Sequence, residues 1–310
     1  MKKIRLYLPN VLLTFLLVFA LLGTECVLFA KHAVLNADTF RTVAEEQDLK
    51  TKAYATLEKE FTSNANTTGI PAEVFLDPVD TDALHQGILD SVSQAFDYLN
   101  GKSSDYAFTM DFTELENSVN TFFSDYADEN AYEKDEAYDE KVASSISSAE
   151  SRILFVADTF KFSTIHRNGW LEKAKKYIGY LNPAAMGMIA VTAVLLVLLI
   201  VCNRKQTVHL AYWLGLALFI AGLLLLLPCA YLTATDYFTA FVMSDPQIFA
   251  AVVGFLQLLT GRAMLMAVIT TGIGFLLLVL FGILQHKAAA SSSQRSTSAD
   301  DSPIRSDDGK

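Results

Sequence analysis

Four runs of this chain are apolar over the ~20 residues that a helix needs to cross a bilayer. The first, 11–30, reads VLLTFLLVFALLGTECVLFA, and the second, 183–202, holds AAMGMIAVTAVLLVLLIVC. The third covers 210–232 and the fourth 263–285. In hydrocarbon every backbone amide must find its partner within the segment, so these runs are helices. The sequence therefore predicts an all-α, multi-pass membrane protein of four transmembrane helices. A large extracytoplasmic helical-bundle domain, 31–167, lies between spans one and two.

Basic residues in short loops set the orientation. Lys2, Lys3 and Arg5 lie in the N-terminal segment 1–10, and Arg204 and Lys205 lie in the turn 203–209 between spans two and three. Both termini are then cytoplasmic and 31–182 is outside, in the cell membrane. The first apolar run is longer than a cleaved signal's core, and Leu28 stands where cleavage after Ala30 needs a small residue, so it reads as an uncleaved signal-anchor. Cys26, Cys202 and Cys229 all fall in or at the ends of spans. The inserted domain has no cysteine and is expected to fold without disulfides. Residues 31–181 carry 27 acidic against 14 basic side chains, a net −13, which is the wrong sign for nucleic acid.

Within the domain the apolar residues recur at helical spacing. Leu84, Ile88, Val92 and Phe96 follow a cap-like Asp80 and end at Asn100-Gly101. Further stripes run through Leu49, Tyr54, Leu57 and Phe61, through Leu115, Val119, Phe122, Phe123 and Tyr126, and through Val142, Ile146, Ala149 and Ile153. A bundle of four or five helices buries them. The stretch DYADENAYEKDEAYDEK, 125–141, sets eight carboxylates in seventeen residues. It lacks the central Gly and the ligand spacing of a calcium loop, and it joins two helical patterns. It reads as a solvated connector, with a docking surface for cations or a basic partner as the alternative.

Residues 168–182 read as an interfacial amphipathic helix with Trp170, Ala174, Tyr177, Ile178 and Leu181 on one face and Glu172, Lys173, Lys175 and Lys176 mostly opposite, Trp170, Tyr177 and the three lysines being candidate lipid contacts. Asn182 is its expected end and Pro183 the first residue of span two. The outer loop 233–262 contains QIFAAVVGFLQLL, too short to span. It is expected to lie in the interface, to pack under the domain, or to run on into span four. The tail 286–310 is Ser-rich and charged and reads as disordered cytoplasmic sequence.

Glu25 is the one carboxylate inside a span, and such residues raise a functional question by default. Snorkelling or a hydrogen bond to Thr or Tyr accounts for it, or a pair with Arg262 at the outer end of span four. Ala263, Ala267 and Thr271 on span four, and Ala217 and Ala221 on span three, form candidate helix-packing seams. The five histidines are scattered, no nucleophile elbow or phosphate loop is present, and no cofactor or metal is implied. The order of one span, a large domain and three further spans resembles, in topology alone, permease subunits of the FtsX/MacB type. The sequence is read as a non-enzymatic protein that displays an acidic domain for sensing or binding in the envelope. Its partners are the lipid bilayer and an envelope protein or a second copy. The alternative is a subunit of a transport complex, and the third reading a membrane enzyme.

Overall fold

The computed structural model describes residues 2–204 and 207–300 and contains no strand among them. In chain order the helices are α1 (Lys2–Phe29), α2 (Ala37–Glu46), α3 (Leu49–Thr68), α4 (Glu73–Leu76), α5 (Thr81–Leu99) and α6 (Thr113–Glu129). They continue with α7 (Glu136–Ala157), α8 (Phe162–Arg167), α9 (Trp170–Asn203), α10 (Thr207–Ala234) and α11 (Pro246–Asp300). The chain forms two compact units, one built from 30–182 and 232–260, the other from the remaining described residues. Lys205 and residues 301–310, which the sequence reading used for orientation and for the tail, lie outside the described residues.

The apolar unit holds four helices long and apolar enough to cross a membrane, within Tyr7–Val34, Trp170–Asn203, Val208–Ala234 and Pro246–Lys287. This is the make-up of a multi-pass membrane protein. Many of its large side chains, among them Phe15, Val194, Leu227 and Leu276, point outward, while Ala217, Ala221 and Ala267 are fully buried, the first two in a cluster with Leu17, Leu199 and Trp213. The apolar outer surface and the buried alanines fit a bilayer, because lipid tails give helices no hydrophobic reason to associate and small residues let backbones approach. The tightest approach joins α10 to α11. A Cβ added at Gly274 would lie 2.7 Å from the Phe219 Cα and 2.9 Å from the Gly215 carbonyl oxygen. A Cβ at Gly272 would meet nothing within 4 Å.

The helical unit folds by ordinary aqueous rules. Leu49, Leu57, Leu84, Ile88, Leu115, Val119 and Ile153, all from the expected stripes, are 0–1% exposed and share one core. Asp80 caps α5 by accepting from the Asp82 and Ala83 amides, which have no partner inside the helix. The same helix stops where Gly101 turns left-handed (φ 75°) and the Lys102 amide reaches back to the Asp97 carbonyl. Residues 40–61 fall in two helices, α2 and α3. The break falls at Asp48, which takes φ 46°.

Three expectations need correction. The unit does not end at 167: Ala250 and Ala251 of α11 lie in its main core, and Phe255 stacks on Phe40 at 4.6 Å. Gln247 is fully buried and its side-chain oxygen accepts from the Thr56 hydroxyl at 2.8 Å. The segment 246–260 thus packs on the unit and also continues into the fourth apolar helix, since no proline follows Pro246 before the apolar run and Gly254 and Gly261 are held within the helix. Residues 168–182 are not a separate helix, because α9 passes through Asn182 and Pro183 without a cap. The missing proline amide frees one carbonyl, a change that neighbouring helices and polar groups accommodate in membrane helices. The tail read as disordered from 286 is helical to Asp300, since Ala288–Ala290 favour helix and neither Gly nor Pro intervenes.

The α10–α11 approach makes a direct prediction. Gly274→Ala should destabilise the protein in detergent by about 1–3 kcal/mol, because the new methyl meets backbone that cannot rotate away. Gly272→Ala should be neutral. Thermal melts of the two variants in one detergent decide the matter, and equal effects would remove the close crossing.

Candidate functional site

Glu25 sits in α1 with its Oε1 accepting from the Thr270 hydroxyl of α11 at 2.5 Å, and its buried Oε2 has no hydrogen-bond partner. Arg262, the partner expected from sequence, is on the same helix eight residues before Thr270, about 12 Å by helical rise. The neighbouring Thr24 hydroxyl lies 3.0 Å from that of Thr192 in α9. Near the other end of α1, the Asn10 and Asn203 amides exchange two hydrogen bonds, at 3.1 and 2.9 Å, with both residues buried. Sequence reading missed this amide pair, because the two residues are 193 positions apart and each looks like a loop-edge asparagine. A hydrophobic run that begins or ends in Asn at a predicted span boundary is the signal that could have found it. Of the seam residues, Ala217, Ala221, Ala263 and Ala267 are buried, and Thr271 packs where a side chain on Gly222 would stand.

The residues expected at the lipid interface divide by face. Leu171, Ala174 and Ile178 pack into the second core of the helical unit with Phe96, Tyr98 and Phe162. Lys175 turns the same way, with its Nζ 4.0 Å from the Tyr98 ring centre and donating to the Ser103 carbonyl. Trp170 and Tyr177 are exposed, and the Lys173 ammonium lies 4.5 Å from the Trp170 ring. The apolar stripe is therefore led by Leu171, one position later than the sequence reading placed it.

A buried polar network crosses the helical unit. Asp158 accepts from the Ser91 hydroxyl at 3.1 Å and from the Phe162 and Ser163 amides at 2.9 Å each. The Tyr106 hydroxyl stands 3.4 Å from Ser91. Burial, and then the Asp158 charge, push the Tyr106 phenol up to about 12, so it stays protonated. His166 packs edge-on to Tyr98 and Tyr106 and meets Asp105 at 3.1 Å. Serine, histidine and aspartate thus come together, but the Ser91 hydroxyl faces the carboxylate. The carboxylate is saturated by the start of α8, an arrangement suited to fixing helices. Among the described residues no group of three or more His, Cys, Asp and Glu side chains is placed to hold a metal ion.

The acidic stretch 125–141 does connect α6 to α7, and it does so as a shaped corner. Asn130 ends α6, Ala131 takes the left-handed conformation (φ 54°), and the Tyr132 amide returns to the Ala127 carbonyl at 2.9 Å. Asp135 then caps α7 by accepting from the Tyr138 amide. The corner encloses a cavity of about 430 Å³, lined by Phe123, Tyr126, Ala127, Tyr132, Glu133, Asp135, Ala137, Tyr138 and Lys141. On the other side of α6 lies an open groove of about 580 Å³ that includes Glu73, Asp77, Glu114 and Asp125. The carboxylates were legible in the sequence. Tyr126 is read there as part of a core stripe, and the bend that sets Tyr132 beside it is not legible. No family model, curated protein or solved structure matches the chain.

Two predictions concern charges in these sites. Double-mutant cycles should give a coupling of about 0.5–2 kcal/mol between Glu25→Ala and Thr270→Val. Non-additivity between Glu25→Gln and Arg262→Gln would sustain the pair expected from sequence, and strict additivity would remove it.

The second prediction concerns Lys161, whose Nζ lies 3.4 Å from the Phe155 ring centre and whose ammonium burial pushes down to about 8. Below that pH the amine is charged in both folded and unfolded chains and its burial opposes folding in full. The opposition fades as pH rises from about 8 toward ~10.4, the ordinary lysine value. Lys161→Met should therefore raise the melting temperature at pH 7 and raise it less at pH 9.5. A difference independent of pH would mean that the amine is solvated.

Proposed function

We propose that this protein is a membrane-anchored binding or sensing protein, non-enzymatic, that displays its acidic helical unit outside the cytoplasmic membrane. The observation that carries this reading is the unit itself. It is an independently cored bundle of net charge −13 over 31–181, inserted between two apolar helices and opening a cavity at its most acidic corner. Four spans return the chain to its starting side, and Lys2, Lys3, Arg5 and Arg204 mark that side as cytoplasmic by the positive-inside rule. In this reading α1 is an uncleaved signal-anchor. Trp170, Tyr177, Lys173 and Lys176 stand at the level of the outer lipid headgroups, where amphipathic rings and ammonium groups are favoured.

Thiol labelling of intact cells tests this placement. In a cysteine-free background, Ser103→Cys should react with a membrane-impermeant maleimide, whereas Ser291→Cys should react only after the cells are opened. The reverse pattern would put the acidic unit in the cytoplasm and end the proposal of an outward-facing binding domain.

A further inference from the structure

The cavity at the α6–α7 corner has a chemical character that narrows what it can hold. Two of its walls are paired rings. Tyr126 and Tyr132 stack with centres 6.0 Å apart and planes 19° from parallel, and Phe123 meets Tyr138 edge-on at 6.4 Å. Tyr126 is 50% and Tyr132 63% exposed, although neighbouring α6 positions Leu115 and Val119 are fully packed. Keeping two tyrosine rings in contact with water wastes the apolar area that aromatic residues normally bury. The turn that holds Tyr132 over Tyr126 also places a non-glycine residue, Ala131, in the left-handed region, where its Cβ crowds the backbone.

We propose that this cavity binds a small organic cation with a quaternary ammonium head, such as a trimethylammonium group. The proposal rests on the outward-facing reading above for its biological setting and on the cavity alone for its chemistry. Ring faces carry negative quadrupole charge and attract cations. They offer no lone pairs, so they suit a head with no N–H to satisfy and do not suit a metal ion, which needs converging oxygens. Glu133 and Asp135 add two carboxylates to the lining. The nearby Lys134 does not cancel it, because its ammonium is held by Asp128 at 2.9 Å and by the Ser124 hydroxyl. Lys141 is the single cation among the lining residues. At about 430 Å³ the cavity is of small-molecule size, too small for a folded partner. The surrounding field of a unit with net −13 draws cations in and repels a phosphate carried next to the ammonium, which favours a free cation over a lipid headgroup.

Isothermal titration calorimetry on the full chain in a maltoside detergent tests the assignment. Choline and tetramethylammonium should bind saturably at one site, and 3,3-dimethyl-1-butanol, the neutral analogue of choline, should not. Tyr132→Ala, at a position already exposed, should weaken choline about tenfold with its helical circular dichroism unchanged. Glu133→Gln should weaken it less and reduce its dependence on salt. Equal binding of the neutral alcohol, unchanged affinity in Tyr132→Ala, or no saturable binding of either cation would overturn the proposal. Binding of dihexanoylphosphatidylcholine with choline silent would overturn the free-cation assignment in favour of a lipid head. Calorimetry on purified protein is blind to membrane sidedness, so a failed titration leaves the labelling result untouched, and the reverse also holds.

Discussion

The absence of water in hydrocarbon governs everything in the apolar unit. Each backbone amide must be satisfied within its own segment, which forces helices. Once formed, those helices gain nothing by hiding leucine from lipid, so their association depends on close backbone approach and on a few polar contacts. Both appear here. Gly215, Gly222 and Gly274 let α10 and α11 meet backbone to backbone. α1 is tied to α9 by the Asn10–Asn203 amide pair and the Thr24–Thr192 hydroxyls, and to α11 by Glu25 and Thr270. The amide pair satisfies both side chains at once, whereas Glu25 leaves one oxygen without a hydrogen bond. The carboxylate therefore has capacity left over, as do the buried Thr14 and Thr271 hydroxyls.

The helical unit obeys the opposite rule. Water satisfies its exposed amides, so its stability comes from buried stripes and from the caps that let helices end. Asp80, Asp135 and Asn36 each accept at the start of a helix. Gly69, Gly101 and Gly169 supply left-handed residues where helices stop. Ala131 occupies the equivalent position after α6, and a side chain there costs about 1–2 kcal/mol in crowding against the carbonyl. Asp48, Lys161 and Asp236 take the same left-handed conformation elsewhere, so the turn at Ala131 matters for where it sets Tyr132 and not for its strain alone.

Much of this was legible in the residues, for reasons that also explain the failures. Span positions follow from transfer free energies, which are local sums over the sequence. The α5 stripe, its Asp80 cap and its Asn100-Gly101 stop are also local. Contacts that depend on folding were not legible. The pairing of Asn10 with Asn203 needs the antiparallel placement of α1 and α9. The contribution of Gln247, Ala250 and Ala251 to the helical unit needs a return of the chain after two spans. The one-residue error between Trp170 and Leu171 has another cause. A helix face is about as wide as the error, so an amphipathic stripe alone cannot decide which of two adjacent large residues is packed.

The acidic corner shows how the two kinds of information combine. Composition alone makes 125–141 a solvated connector, because eight carboxylates repel one another and invite water. Local rules add only that Asp135 begins a helix. The left-handed turn at Ala131 is what converts the composition into a site, since it sets Tyr132 beside Tyr126 while the following cap sets Tyr138 beside Phe123. Glu133 and Asp135 then share the lining of one cavity with Phe123, Tyr126, Tyr132 and Tyr138. Each ingredient alone selects weakly: carboxylates accept any cation, and rings accept any apolar group. Together they favour the one chemistry that is both apolar on its surface and positively charged, within a volume of small-molecule size.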